Sequence, residues 1–422
     1  MKLSSSIIGW LARLTVARYK PRIIGITGTV GKTSTKFALM AVLAKNFKVR
    51  ISPDDLSGEL GLPIAILGDW SGKDLALVSR DCPAETGKIR RAFFWIKAIF
   101  SSAWRIVKKT NDYPEVLILE YGADRPGDIK KLLKIARPEI AVITAVGDIP
   151  VHVEFFAGPD DVAREKGRII ESLPAAGLAV LNGDDETATR LENRTRARVA
   201  TFGFLKETDV RITRFENTTE NDHPLGISFK LEYQNAFVPV RMKGVFGKAQ
   251  AYAAAAAAAI GIAFGMNLVA ISEALGDYVP ASSRMRLVKG VKETLLLDDC
   301  RDASPLSMHA ALDILRDLPA KRKVAVLGDM LEIGKYTVEA HERAGALAGK
   351  FLDVLVTVGA RAKFIAEAAK ETGMKSANIF SFGTADDAKK SVQDLMRKGD
   401  LVLIKGSRLM ELDKVVEEIK YI

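Results

Sequence analysis

Apolar residues in this chain gather in short runs, and most runs are followed by a stretch whose apolar positions return every three or four residues. Residues 22–27 (RIIGIT) read as a buried strand and 32–45 (KTSTKFALMAVLAK) as the helix after it. Further strand-like runs lie at 74–79, 115–120, 139–144 and 178–182, with helical patterns between most of them. That alternation predicts a parallel α/β sheet. Residues 208–243 change character, because ISFKLEY and FVPVRM alternate apolar and polar positions around the turn-like ENDHPLG. They predict a small antiparallel sheet, and the alanine run 253–259 predicts a closely packed helix. A second α/β alternation follows Pro280, with strands expected at 294–298, 323–328, 353–358, 378–382 and 400–404. The expected organisation is an amphipathic helix over 1–21, a central domain over 22–282 and a Rossmann-like C-terminal domain over 283–422.

With 422 residues, each of these domains can bury a core of its own. The formal charge of +10 raises a nucleic-acid partner, but no zinc finger, RNP pattern or sustained basic tail accompanies it. Nucleotide phosphates, acidic substrates or an anionic membrane surface account for the excess equally well. Only Cys82 and Cys300 are present, so no disulfide framework is indicated and a reducing cytoplasm is expected. The first residues look superficially like a signal peptide, but Arg13 interrupts the apolar run and no small-residue cleavage site follows. No run approaches the ~20 apolar residues of a membrane-spanning helix.

Gly28-Thr-Val-Gly-Lys-Thr33 lies where the first expected strand meets its helix. A glycine-rich turn there lets backbone N–H groups and the helix N-terminus face a polyphosphate. Lys32 can reach the β- and γ-phosphates, and the Thr33 hydroxyl can bind Mg²⁺. The strict eight-residue pattern asks for glycine at position 26, which is Ile26. The competing reading is a plain strand–helix turn. The flanking elements favour a P-loop ATPase domain, with Gly28, Thr29, Gly31, Lys32, Thr33 and Ser34 as the nucleotide-binding set.

GITGTVGKTSTK resembles the loop of the Mur ligases, which join amino acids or peptides to peptidoglycan precursors. Further blocks follow in the family's order: LEYGADRPGDI (119–129), HVEFFAGPDDVAREKGRII (152–170), LNGDD (181–185) and SRMRLV (283–288). LDDCRDASPLSMHAALDIL (297–315), VAVLGDMLEIG (324–334) and LIKGSRLMELDKVVEEI (403–419) resemble the branch that adds a D-alanyl-D-alanine dipeptide. The resemblance implies a ligase that uses ATP and Mg²⁺, with two ions expected. A substrate carboxylate is phosphorylated to an acyl phosphate, which an amine then attacks. It also implies Glu120 and His152 as metal ligands and Lys166 as a lysine that is carbamylated and helps organise the metals. Lys32, Lys166 and His152 are the catalytic set. Arg284 and Asp299 are expected to reach the nucleotide, while Asp302, Asp329, Glu332, Lys405, Ser407 and Arg408 are expected around the acceptor or the incoming amine. Each has a plainer reading: a strand-end carboxylate, a core or surface histidine, an exposed helix lysine, ordinary loop chemistry.

Three departures limit the resemblance. About two dozen residues precede the loop, too few for the family's UDP-binding domain, so substrate capture is expected to differ. The family's His-Asn pair becomes Phe246-Gly247, with Gln250 where an adenine-contacting Asn is usual. DDSYNANP becomes DDCRDASP (298–305), which leaves the added amino acid or dipeptide open. Rival readings are a ligase for a lipid-linked muropeptide or polyglutamate-like chain, and an inactive nucleotide-binding scaffold of cell-wall enzymes. Residues 88–109 have no family counterpart. They hold seven Lys/Arg, no acid, and five Phe or Trp. Their apolar stripe fits either a helix packed on the domain or one lying on a membrane, with peripheral attachment as the alternative to a free cytoplasmic enzyme.

Overall fold

The computed structural model describes residues 2–53, 60–78, 88–221 and 223–421. They form two compact units: Met1–Ala145, Asp160–Arg211 and Ala253–Ala274 make the first, and Val146–Pro159, Ile212–Tyr252 and Leu275–Ile422 the second.

In chain order the first elements are α1 (Lys2–Tyr19), β1 (Arg22–Thr27), α2 (Lys32–Leu43), β2 (Val49–Ile51), α3 (Gly61–Leu67), α4 (Gly72–Ala76) and α5 (Lys88–Val107). Then come β3 (Val116–Glu120), α6 (Asp128–Leu133), β4 (Ile140–Ile143), α7 (Pro159–Glu171), β5 (Leu178–Asn182), α8 (Glu186–Thr189) and β6 (Arg198–Gly203). The strands run in the order β2-β3-β1-β4-β5-β6, parallel throughout. Helices cover both faces of such a sheet, which is why β1, β3 and β4 read as unbroken apolar runs. Ile24, Ile26, Leu117, Ile118, Val142 and Ile143 are fully buried.

The expected strand at 74–79 is instead helical from Gly72 to Ala76, and Ser79 lies outside the described residues. Ser71 Oγ accepts from Asp74 N at 3.2 Å, a cap that starts a helix where a short mixed run offered little for a strand.

The chain continues with β7 (Val210–Glu220), β8 (His223–Tyr233), β9 (Ala236–Lys243), α9 (Lys248–Ala263) and α10 (Leu268–Gly276). Val210 and Arg211 pair with the end of β6, and β8 and β9 form the expected antiparallel hairpin. Asp222, in the expected turn, lies outside the described residues, and the strands reach further into ENDHPLG than predicted. The alanines of α9 are buried, and small side chains there let the helix approach closely: a Cβ on Gly261 would press on Val42 and Ile271.

The second sheet contains β10 (Arg286–Gly290), β11 (Thr294–Asp299), β12 (Arg322–Gly328), β13 (Val354–Val358), β14 (Ile379–Phe382) and β15 (Asp400–Lys405). Its order is β10-β11-β15-β12-β13-β14, with β10 antiparallel and the rest parallel. Connecting helices include α11 (Pro305–Asp317) and α12 (Thr337–Ala348). In open sheets of this kind, ligands gather at the carboxyl ends of the strands.

Candidate active site

In the first unit the carboxyl ends of β1, β3 and β4 meet one loop. Gly28 (φ 146°) and Gly31 (φ 89°) adopt backbone conformations that favour glycine. A Cβ on Gly28 would collide with Thr144 at the end of β4. The loop is tied there: Thr29 N donates to Ala145 O at 2.6 Å and Thr144 Oγ1 to Val30 O at 2.6 Å. α2 starts directly after the left-handed Gly31 with no side-chain cap, so its first N–H groups point into the loop. Thr29 Oγ1 is a buried hydroxyl with no partner. Left-handed backbone, helix N-terminus and orphan hydroxyl together make a cradle for an anion.

Cations converge on it. Lys32 Nζ donates to Gly28 O at 2.9 Å and to Thr29 O at 3.3 Å. Lys166 Nζ reaches the same Gly28 carbonyl at 3.0 Å. Lys166 is only 2% exposed, so it is not a solvated helix charge. Burial, and then the nearby Lys32 charge, push its amine down to about 7. Its neighbour Glu165 turns away, accepting from Ile129 N at 3.0 Å.

Glu120 ends β3 beside α2, and Thr33 Oγ1 donates to Glu120 Oε1 at 3.2 Å. Lys36, absent from the expected set, is fully buried; its Nζ lies 2.8 Å from Glu120 Oε1 and donates to Ser52 O at 2.7 Å. It stands one helical turn beyond Thr33, which is the signal that could have found it. Ser34 is nearly buried in the same turn.

The second unit holds the remaining candidates. His152 and Glu332 both have left-handed backbones (φ 70° and 61°), and His152 Nδ1 lies 2.5 Å from Glu332 Oε2. Strained residues of this kind concentrate at functional sites. A carboxylate on one ring nitrogen is also how a metal-binding imidazole is commonly oriented.

At the ends of β11 and β15, Asp299 and Lys405 are register partners, with Nζ 2.6 Å from Asp299 Oδ2. Lys405 also donates to Asp302 O at 2.8 Å and is 2% exposed, so its charge is spent on holding this loop. Asp299 Oδ1 accepts from Met285 N at 3.0 Å, and Ser283 Oγ donates to Asp298 Oδ2 at 3.0 Å. Ser283 and Met285 are left-handed on either side of Arg284. These ties present Arg284, whose Nη1 lies 2.6 Å from Asp302 Oδ2.

Gln250 has its amide engaged inside the unit, accepting from Tyr278 OH at 3.0 Å and donating to Arg284 O at 3.5 Å. The departing Phe246 is fully buried, and Gly247 (φ 84°) donates its N–H to Asn217 Oδ1 at 3.0 Å. Asp329, expected at the acceptor, turns inward. It is 4% exposed and accepts from Arg361 N and Ala362 N at 3.0 and 2.7 Å. Ser407 accepts from Leu331 N at 2.9 Å, joining the β15 loop to the β12 loop, while Arg408 is half-buried. His341, not anticipated, supports that loop from beneath: Nε2 accepts from Met330 N at 3.0 Å and Nδ1 donates to Thr337 O at 2.7 Å. Burial holds its pKa below the usual histidine value.

Among the described residues no group of three His, Cys, Asp or Glu forms a closed metal cage. Mg²⁺ commonly binds through one or two protein oxygens plus substrate phosphates. The side-chain oxygens of Thr33 and Glu120 lie 3.2 Å apart beside the loop.

A Mur ligase middle domain matches residues 104–261, and a Mur ligase glutamate ligase domain matches residues 283–408. The UDP-N-acetylmuramoyl-tripeptide–D-alanyl-D-alanine ligase of Mycobacterium bovis is 30% identical over 418 residues, covering 94% of this chain and 72% of that protein. The Bacillus subtilis protein of the same name is 27% identical over 411 residues, covering 97% and 78%. The MurF ligase of Thermotoga maritima, solved in complex with ADP, superposes with a TM-score of 0.77 at 24% identity, covering 98% of this chain and 83% of that one.

Proposed function

The chain belongs to the Mur ligase family, and from that premise we propose that it adds D-alanyl-D-alanine to the peptide of a muramoyl precursor. As a Mur ligase it is an ATP-dependent, ADP-forming acid–amino-acid ligase. The observation that carries the reading is the Gly28–Thr33 cradle, with Lys32, Lys166 and Glu120 brought to it from separate elements.

The α2 N-terminus and Lys32 hold the β- and γ-phosphates of ATP. The acceptor's carboxylate oxygen attacks the γ-phosphorus and the bond to ADP breaks, leaving an acyl phosphate. The amine nitrogen then bonds to the acyl carbon, loses its proton and expels inorganic phosphate. Negative charge grows on phosphoryl and acyl oxygens, so fixed cations and N–H groups lower both barriers. Thr33 and Glu120 would hold Mg²⁺, and His152, oriented by Glu332, would serve a second ion; when bound, these ions neutralise phosphate charge. Within the second unit, Asp302 and Arg408 would meet the incoming dipeptide.

Lys166 is suited to carbamylation, because only a neutral amine attacks CO₂ and this amine is held down to about 7. Intact-protein mass under CO₂ should show the adduct, and Lys166→Ala should lose it. An unmodified Lys166 with full turnover would remove the carbamate from this scheme.

The test of the whole reading is phosphate release from ATP across a panel of muramoyl-peptide acceptors and amines. Release that requires both an acceptor and D-alanyl-D-alanine supports it. Release with a lipid-linked or polyglutamate acceptor alone would redirect it, and none at all would favour a scaffold. Peripheral contact with a membrane concerns another surface and other residues.

A further inference from the structure

α5 buries one face and turns an apolar face to solvent. Phe94, Ala98 and Ser102 are buried, and the Phe94 ring meets Trp70 and Trp95 edge-on at 5.1 and 5.2 Å. Arg105 Nη1 donates to Leu67 O at 2.8 Å and Arg91 Nε to Leu77 O at 3.0 Å, clamping that face down. On the other side Ile89, Phe93, Ile96, Phe100, Trp104 and Val107 are 60–86% exposed. With about 100° turned per residue, these six lie in a stripe roughly 80° wide along the helix. A helix of a globular surface normally turns its apolar stripe to the core, so this one is inverted. The neighbouring α1 packs through Ile8, Leu11 and Ala12 and leaves Trp10 60% exposed. It is joined to α5 where Tyr19 OH donates to Arg105 O at 2.9 Å.

Charge narrows what could cover the stripe. Residues 88–109 contain seven Lys/Arg and no Asp or Glu. By the same rotation of about 100° per residue, Arg90, Lys97 and Lys108 flank one edge of the stripe. Asp74 lies against Lys97 at 3.5 Å, on a different helix. A second copy of the chain would set one row of cations against another. An acidic protein would match the charge, but gives no reason for a narrow row of large apolar side chains along the whole helix. A bilayer interface supplies both a shallow apolar layer and anionic headgroups beside it. No helix among the described residues is long and apolar enough to cross a membrane, so the contact lies in its plane.

We infer that α5 docks this protein on an anionic lipid surface. Ile89, Phe93, Ile96, Phe100, Trp104 and Val107 enter the boundary between headgroups and acyl chains, while Arg90, Lys97 and Lys108 sit among the phosphates. The surface is separate from the ligase chemistry and its test does not depend on that reading.

Co-sedimentation of the full chain with vesicles of phosphatidylcholine, alone or mixed with phosphatidylglycerol, tests it. Binding should require the anionic lipid, weaken as NaCl rises, and shift tryptophan emission to the blue. The triple variant Phe93→Ser, Phe100→Ser, Trp104→Ser should partition about tenfold or more less strongly while keeping its thermal midpoint, since all three side chains are already exposed. Reversing Arg90, Lys97 and Lys108 to Glu should abolish the preference for phosphatidylglycerol, which covers the case of a serine variant that fails to fold. Wild-type protein that ignores both vesicles overturns the proposal, as does full binding by a folded serine variant. So does a lipid-free wild-type dimer that the serine variant disperses, because the stripe would then be a self-interface.

Discussion

Around the phosphate loop two ammonium groups, Lys32 and Lys166, converge on one backbone carbonyl, that of Gly28. At the ends of β11 and β15 two pairs of opposite charge meet, Lys405 on Asp299 and Arg284 on Asp302. The first arrangement accumulates positive potential and is suited to receive an anion. The second is neutralised within itself, so a ligand gains a group there only by displacing its partner. Substitutions in the first region should therefore cost activity, and in the second region stability.

The largest expected effect is on turnover. Lys32→Ala and Glu120→Gln should each lower ATP turnover by about 10²-fold or more, with the thermal midpoint of the Lys32 variant near wild type. Gln at position 120 keeps an oxygen for the fully buried Lys36 ammonium to bond, but it removes that lysine's counter-charge, so this variant should also lose stability. Near-wild-type phosphate release by either purified variant would break the first half of the comparison.

Next is Lys405→Met, which strands Asp299 at the end of β11. Urea unfolding should show a loss of about 3 kcal/mol. A stability unchanged within error would mean that the second cluster is as adaptable as the first.

Lys166→Met should be inactive yet more stable at neutral pH, by ~1–3 kcal/mol. The folded amine sits near 7 and an unfolded lysine near 10.5, so the unfolded state binds more protons between those values. The wild-type penalty thus grows as pH falls from 10.5 to 7 and is constant below. The gain measured for the Met variant should shrink as pH rises through that window. A variant less stable than wild type at pH 7 would show that the bond to Gly28 outweighs burial.

The smallest effect concerns His341, whose folded pKa is depressed by burial. Its neutral ring contributes fully above about 6.5, and stability should fall as pH drops below that by at most about 1.4 kcal/mol per unit. His309 is shifted the same way and adds to the slope. His341→Gln should flatten the acid limb, and an unaltered limb would assign the slope elsewhere.

What could be read in advance follows from how each feature is encoded. β1, β3, β4 and, in the second sheet, β13 and β15 are buried almost throughout, so they stand out as apolar runs. β2 has three residues and β6 begins on exposed Arg198 with half-buried positions after it, so neither carries such a run. The loop residues were legible because glycine spacing is local chemistry. Lys36 and His341 were not, because a lysine in KTSTK and a histidine in TVEAHER look solvated until tertiary packing buries them completely. Asp329 failed in the opposite sense. Its strand-end position suggested a ligand, but the amides of Arg361 and Ala362 claim its carboxylate.

β1 lies between β3 and β4, paired through Arg22 with Val116 and through Ile24 with Ile140. The Gly28–Thr33 loop at its end is therefore synthesised before the two strands that hold β1 in place. Until Val116 and then Ile140 have emerged and paired, β1 has no neighbours, and such non-local pairing is intrinsically slow. The nascent chain thus carries an apolar strand that has to be kept from other partners while its sheet is still being made.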